Sequence, residues 1–178
     1  MNEVQLALER WANFYLTMAA ASATLIGLLF VVIALVTGGI AKDAADGTAK
    51  IRVYLTPTVV YFASVLFVAA LLTFPNHTRL TAVLCICIAG VAGLLYSGWF
   101  LAGGDKRSYH ERLDRIPYAV LPFSAYGLLV LGGVLLLQDT QRGLTFAAIG
   151  IMLLLAIGIR NSWAAAAAIV SSTRPGRL

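Results

Sequence analysis

Few residues in this chain have side chains that do chemistry, and their spacing removes most of the options. The two histidines, His77 and His110, flank a long apolar run. If that run crosses a membrane they end on opposite sides, which excludes paired axial haem ligation within one chain. Cys85 and Cys87 are two residues apart inside the same run. A helix turns them to different sides, no histidine stands nearby, and neither a disulfide nor a zinc pair is suggested. Both read as small apolar fillers. Hydroxyls are scattered through the apolar runs, but a hydroxyl without a positioned base is no nucleophile. There is no phosphate-binding loop, dinucleotide-binding glycine pattern, H-E-x-x-H or G-x-S-x-G. The long apolar runs hold no Asp, Glu or Lys near their centres, so the carboxylate relay of a proton-coupled transporter is missing. We therefore expect no catalytic residue, no metal site and no cofactor.

What remains is one polar interruption and two stripes of small residues. Arg160, Asn161, Ser162 and Trp163 interrupt an apolar stretch near its end. On one reading Arg160 extends to water at the membrane interface while Trp163 anchors there. On the other, Arg160 and Asn161 face a water-filled vestibule that binds an anion or a neighbouring subunit. Ala19, Ala23 and Gly27 recur every fourth residue with Ser22 and Thr24 beside them, and Cys85, Ala89, Gly93 and Ser97 repeat the pattern. Small residues at that spacing let two helix backbones come close. The first stripe is expected to meet the second. Thr17, Ser22 and Thr24 are also the side chains best placed to line a pore between copies of the chain.

The elements that position these residues follow from composition. Of 178 residues, 60% are hydrophobic and 12% charged, more apolar and less charged than a soluble domain. Met18 to Val36 holds no charged residue at all, the length of a membrane-spanning helix. The pattern repeats, predicting an all-α, polytopic transmembrane bundle of five spans at about 13–37, 55–74, 79–101, 117–137 and 144–163. Val4, Leu8, Trp11 and Tyr15 share a face, which makes residues 1–12 an interfacial amphipathic segment leading into the first span. The bundle occupies residues 13–172, and 173–178 form a disordered tail. Pro57 is expected at the first helical position of the second span. Pro122 would cost the fourth span a backbone hydrogen bond and kink its first turns. The charged segment from Gly103 to Ile116 reads as a solvated loop.

The net charge of +5 sits in short segments between apolar runs, which is topology rather than nucleic-acid binding. With five crossings, one side carries Arg10, Arg79 and Arg142. The other carries Lys42, Lys50, Arg52, Lys106, Arg107, Arg112, Arg115, Arg174 and Arg177. The positive-inside rule then places the amino terminus outside and the carboxyl terminus in the cytoplasm.

Through GLLFVVIAL at Gly27 to Leu35 and IRNSW at Ile159 to Trp163, the chain resembles small bacterial multi-pass membrane proteins of uncharacterised activity. The resemblance implies a bacterial inner membrane and carries over no substrate, cofactor or site residue. Two functions are compatible with these readings. One is a homo-oligomeric channel or pore for ions or small solutes. The other is a non-catalytic accessory or scaffold subunit of a larger membrane complex that presents its basic loop, Lys106 to Arg115, to the cytoplasm. The bilayer is the partner in both.

Overall fold

A computed structural model describes residues 3–39, 44–75, 77–103 and 120–172, with side chains placed at 3–34, 56–75, 77–99 and 120–167. Five helices are described: α1 (Glu3–Gly39), α2 (Ala44–Leu72), α3 (Arg79–Gly103), α4 (Leu121–Leu135) and α5 (Thr140–Ser172). Three are long and apolar enough to cross a membrane: Glu3–Ala34 at mean hydropathy 2.3, Arg79–Trp99 at 2.2 and Thr140–Ala167 at 2.0. Thr56–Leu72 and Leu121–Leu135 are apolar but shorter. The protein is thus all-helical, with transmembrane helices that identify it as a membrane protein.

Helix boundaries follow local chemistry at the turns. Thr78 caps α3 reciprocally with Thr81: the Thr81 amide donates to Thr78 Oγ1 at 3.2 Å, and the Thr78 amide donates to Thr81 Oγ1 at 2.9 Å. This is a capping box with threonine in the place of the usual Glu. His77 closes the preceding turn, its Nε2 lying 2.6 Å from the Leu71 carbonyl and its Nδ1 3.1 Å from Thr81 Oγ1. Asp139 caps α5 by accepting from the Arg142 amide at 3.0 Å.

Both prolines behave differently from the sequence reading. Pro57 lies inside α2, which begins at Ala44, and not at the first helical position. It deprives the carbonyl four residues earlier of its helical donor, which membrane helices tolerate because neighbouring elements supply alternatives. Pro122 lies in the first turn of α4, where the missing amide hydrogen has no intrahelical partner to lose. Ser124 Oγ donates to the Leu121 carbonyl at 2.7 Å. The last helix runs through to Ser172, further than the 144–163 span read from the sequence.

Contacts at one end of the bundle show the helices alternating in direction. Arg79, at the start of α3, pairs with Glu3 of α1 at 3.2 Å and donates to the Leu137 carbonyl after α4 at 3.2 Å and to Thr140 of α5 at 3.4 Å. Trp11 Nε1 donates to Gln141 at 3.4 Å, and the Tyr15 hydroxyl to the Leu144 carbonyl at 3.2 Å. The extensive seams are α1 with α2, α2 with α5, α5 with α4, and α4 with α3. Tyr15, Phe62, Leu129, Ile151 and Leu154 are fully buried between them.

Glycines set the closeness of the α4–α5 seam. A Cβ on Gly132 would lie 2.7 Å from the Ala147 amide nitrogen, and one on Gly143 would lie 2.6 Å from the Leu136 Cα. Backbone therefore meets backbone, the packing that replaces the hydrophobic drive lost in lipid.

Candidate functional site

On α1 the small residues divide between two sides of the helix. Ala19 and Ser22 are buried, whereas Thr17, Ala23, Thr24 and Gly27 face outward. A Cβ on Gly27 would meet nothing within 4 Å. The inward side consists of Val4, Leu8, Tyr15, Ala19, Ser22 and Leu29, with the rings of Trp11 and Phe14 stacked edge-on beside it at 5.6 Å. The outward hydroxyls are satisfied within the helix, Thr17 donating to the Asn13 carbonyl at 2.7 Å and Thr24 to the Ala20 carbonyl at 2.9 Å.

The stripe on α3 does not meet the one on α1, because α1 packs on α2 and α5. It faces α4 instead. The ring of Tyr126 occupies the space beside Gly93 that a Cβ would fill. Ser97, one turn on, is buried, with no hydrogen-bond partner for its hydroxyl among the described residues. Cys85 and Ala89 are partly covered. Cys87, off the stripe, packs against Gly133 of α4. The Tyr126 hydroxyl reaches across to Ser64 Oγ on α2 at 2.9 Å, and Tyr61 lies beside it with ring centroids 6.4 Å apart. This is a packing keystone: a hydroxyl pair with no base beside it in the described structure.

The α5 interruption points four ways around one helical turn. Arg160 and Trp163 face outward, and Ser162 donates to the Gly158 carbonyl at 2.9 Å. Asn161 alone turns inward and is fully buried. It falls between Gly158, whose missing side chain admits the Phe62 ring, and Ala165, which packs with Phe62 and Leu29. Two more fully buried polar residues surround the same phenylalanine. Ser22 of α1 donates to the Phe62 carbonyl at 2.6 Å, and Thr58 lies one turn before Phe62 on α2. Ser22 and Asn161 stand at different heights in the bundle: from the Tyr15–Leu144 contact, Ser22 is about 10 Å along α1 and Asn161 about 25 Å along α5 in the same direction. Both side-chain polar atoms of Asn161 lack a hydrogen-bond partner among the described residues.

At the opposite end, a half-open groove of about 290 Å³ lies between α1 and the end of α2. Leu8, Leu72 and Phe74 supply its apolar wall, and Glu9 and His77 its polar groups. Both ring nitrogens of His77 are engaged in the turn, so His77 serves as a helix-end lock. Among the described residues, no group of three or more His, Cys, Asp or Glu side chains is placed to hold a metal. His110 and the basic stretch Lys106 to Arg115 lie outside the described residues.

The sequence reading missed the hydrogen bond from Ser22 to the Phe62 carbonyl, the inward turn of Asn161 and the part played by His77. Ser22 and Asn161 were both visible as polar residues in apolar runs, but their spacing did not say which side of each helix is covered. Comparison with models of known protein families, with curated proteins and with solved structures produced no match to this chain.

Proposed function

We propose that the protein is a five-span bacterial inner-membrane protein, amino terminus outside and carboxyl terminus cytoplasmic, that self-associates through the outward side of α1. Copies of the chain then enclose a path for ions or small solutes. The observation that carries this reading is the uncovered side of α1, where Asn13, Thr17, Ala20, Thr24 and Gly27 recur at three- and four-residue intervals and all face outward. Only 17% of the most apolar window of α1 is buried, against 33% for α3 and 50% for α5. A helix with small and hydroxyl-bearing residues on its open side suits close approach by a second helix. The two shorter helices complete five crossings. Thr56–Leu72 is about 26 Å long at 1.5 Å per residue, close to the ~30 Å hydrocarbon core. The basic residues counted along the sequence, nine on one side of five crossings against three on the other, supply the orientation by the positive-inside rule.

A second reading, a non-catalytic accessory subunit, is favoured by the filled interior of the single chain, where large apolar side chains occupy the seams. Stoichiometry in nanodiscs combined with ion flux in liposomes containing only this protein separates the two. The pore reading expects an oligomer with flux, and a Gly27→Leu variant that keeps its helicity while losing both. A monomer without flux would abandon the pore in favour of the accessory role.

A further inference from the structure

The groove between α1 and the end of α2 has a charge of one sign. At about 290 Å³ it sits at the lower edge of the ~300–1,000 Å³ usual for small-molecule sites, room for a compact head but not for a whole lipid. Its described lining holds one carboxylate, Glu9, and no lysine or arginine. Glu9 is exposed and makes no ion pair with a described residue, whereas Glu3, at the same end of α1, is paired with Arg79. Both ring nitrogens of His77 are committed to the turn. Thr73 gives its hydroxyl hydrogen to the Ala70 carbonyl, which leaves its oxygen able to accept. The groove therefore offers a negative charge and an acceptor beside it, and an anionic head would meet only repulsion.

Below the groove both helices are apolar. The contact of Ser22 with the Phe62 carbonyl sets the register of this antiparallel pair. Leu16 stands about 9 Å before Ser22 on α1 and Phe67 about 8 Å past Phe62 on α2, so the two share a height. Each is 61% exposed. Leu16 also lies two turns from Glu9 on the same side of α1. Head and chains thus find separate places: a cationic head in the groove at the level of Trp11, where aromatic rings mark the membrane interface, and acyl chains along Leu16 and Phe67. Among cationic lipid heads, a primary ammonium donates three hydrogen bonds, which suits Glu9 and Thr73. A quaternary ammonium donates none and is held by aromatic cages, for which the described lining supplies a single phenyl ring, Phe74.

We propose that this groove binds the headgroup of an ethanolamine phospholipid, its ammonium on Glu9 and its acyl chains along Leu16 and Phe67. The site is complete within one chain and does not depend on self-association.

The test is native mass spectrometry of the full-length protein released from micelles that contain phosphatidylethanolamine and phosphatidylcholine in equal amounts and with identical chains. The wild type is expected to retain one phosphatidylethanolamine in preference to phosphatidylcholine by roughly threefold. Glu9→Ala should bring the two lipids level, and Glu3→Ala, which removes the same charge from the same end but outside the groove, should keep the preference. Both positions are exposed on a helix, so the variants fold, which circular dichroism checks. Glycerophosphoethanolamine, the same head without chains, should leave the adduct in place at equal concentration; displacement by it overturns the assignment of the site to a lipid. Equal retention of the two lipids by the wild type overturns the proposal and leaves the groove as ordinary bilayer contact. So does a preference that persists in Glu9→Ala, or one that is lost equally in Glu3→Ala.

Discussion

Replacing Gly132 by alanine tests whether α4 and α5 are held by direct backbone contact. The added methyl carbon would lie 2.7 Å from the Ala147 nitrogen, 2.9 Å from the Gly143 carbonyl oxygen and 3.2 Å from the Ala147 Cα. All three atoms are backbone, so no side-chain rotation relieves the overlap. Ordinary contact begins near 3.4 Å, and the helices must separate locally by roughly 0.7 Å to reach it. Overpacking of this kind costs about 1–3 kcal/mol. Alanine recovers ~1 kcal/mol by favouring the helix, leaving a net destabilisation of about 0–2 kcal/mol. Gly127→Ala, on the same helix, is the matched control, since nothing lies within 4 Å of its new methyl; it should be neutral or slightly stabilising. Both variants are compared with the wild type by reversible unfolding in mixed micelles. Equal stability of Gly132→Ala and Gly127→Ala would refute the claim that close backbone approach holds this seam.

Other expectations follow from the same geometry. Tyr126→Phe removes the hydroxyl that meets Ser64 but keeps the ring beside Gly93; a double-mutant cycle with Ser64→Ala should return a coupling of about 0.6 kcal/mol, typical of interhelical hydrogen bonds in membranes. Gly93→Leu, by contrast, drives a side chain into the Tyr126 ring and should lower the unfolding midpoint well beyond Tyr126→Phe. Arg79 has a side chain 38% exposed and Glu3 one 76% exposed, so Glu3→Gln should cost no more than ~1 kcal/mol. Arg79→Ala should cost more than Glu3→Gln in the same assay, because Arg79 also donates to the Leu137 carbonyl and to Thr140. A reporter fused at Leu178 should be active only in its cytoplasmic form, and an active periplasmic reporter would reverse the proposed orientation.

Sequence alone determined the class of this protein, because uncharged apolar runs in an otherwise charge-poor chain leave a bilayer as the only environment that suits them. It also determined that short reversals join α2 to α3 and α4 to α5, though the second falls at 136–139, ahead of the Asp139 to Arg142 read from the sequence, because Asp139 caps α5 and the helix begins at Thr140. Tertiary structure decided which side of each helix turns inward. In a soluble helix the apolar stripe announces the core, but α1 and α3 are apolar on both their buried and their outward sides, with Leu16, Phe30, Leu84 and Leu95 among the exposed residues. Periodicity therefore carried no direction, and Ala19 and Gly27, one stripe on paper, ended on different sides of α1. The same ambiguity explains why the α3 stripe was paired with α1, when the partner that fills the space beside Gly93 is the ring of Tyr126 on α4. Asn161 was legible as an oddity in an apolar run. That it alone of its polar neighbours turns into the bundle, on the side of α5 that carries Gly158 and Ala165, depends on how α2 and α5 pack, and only their packing decides that.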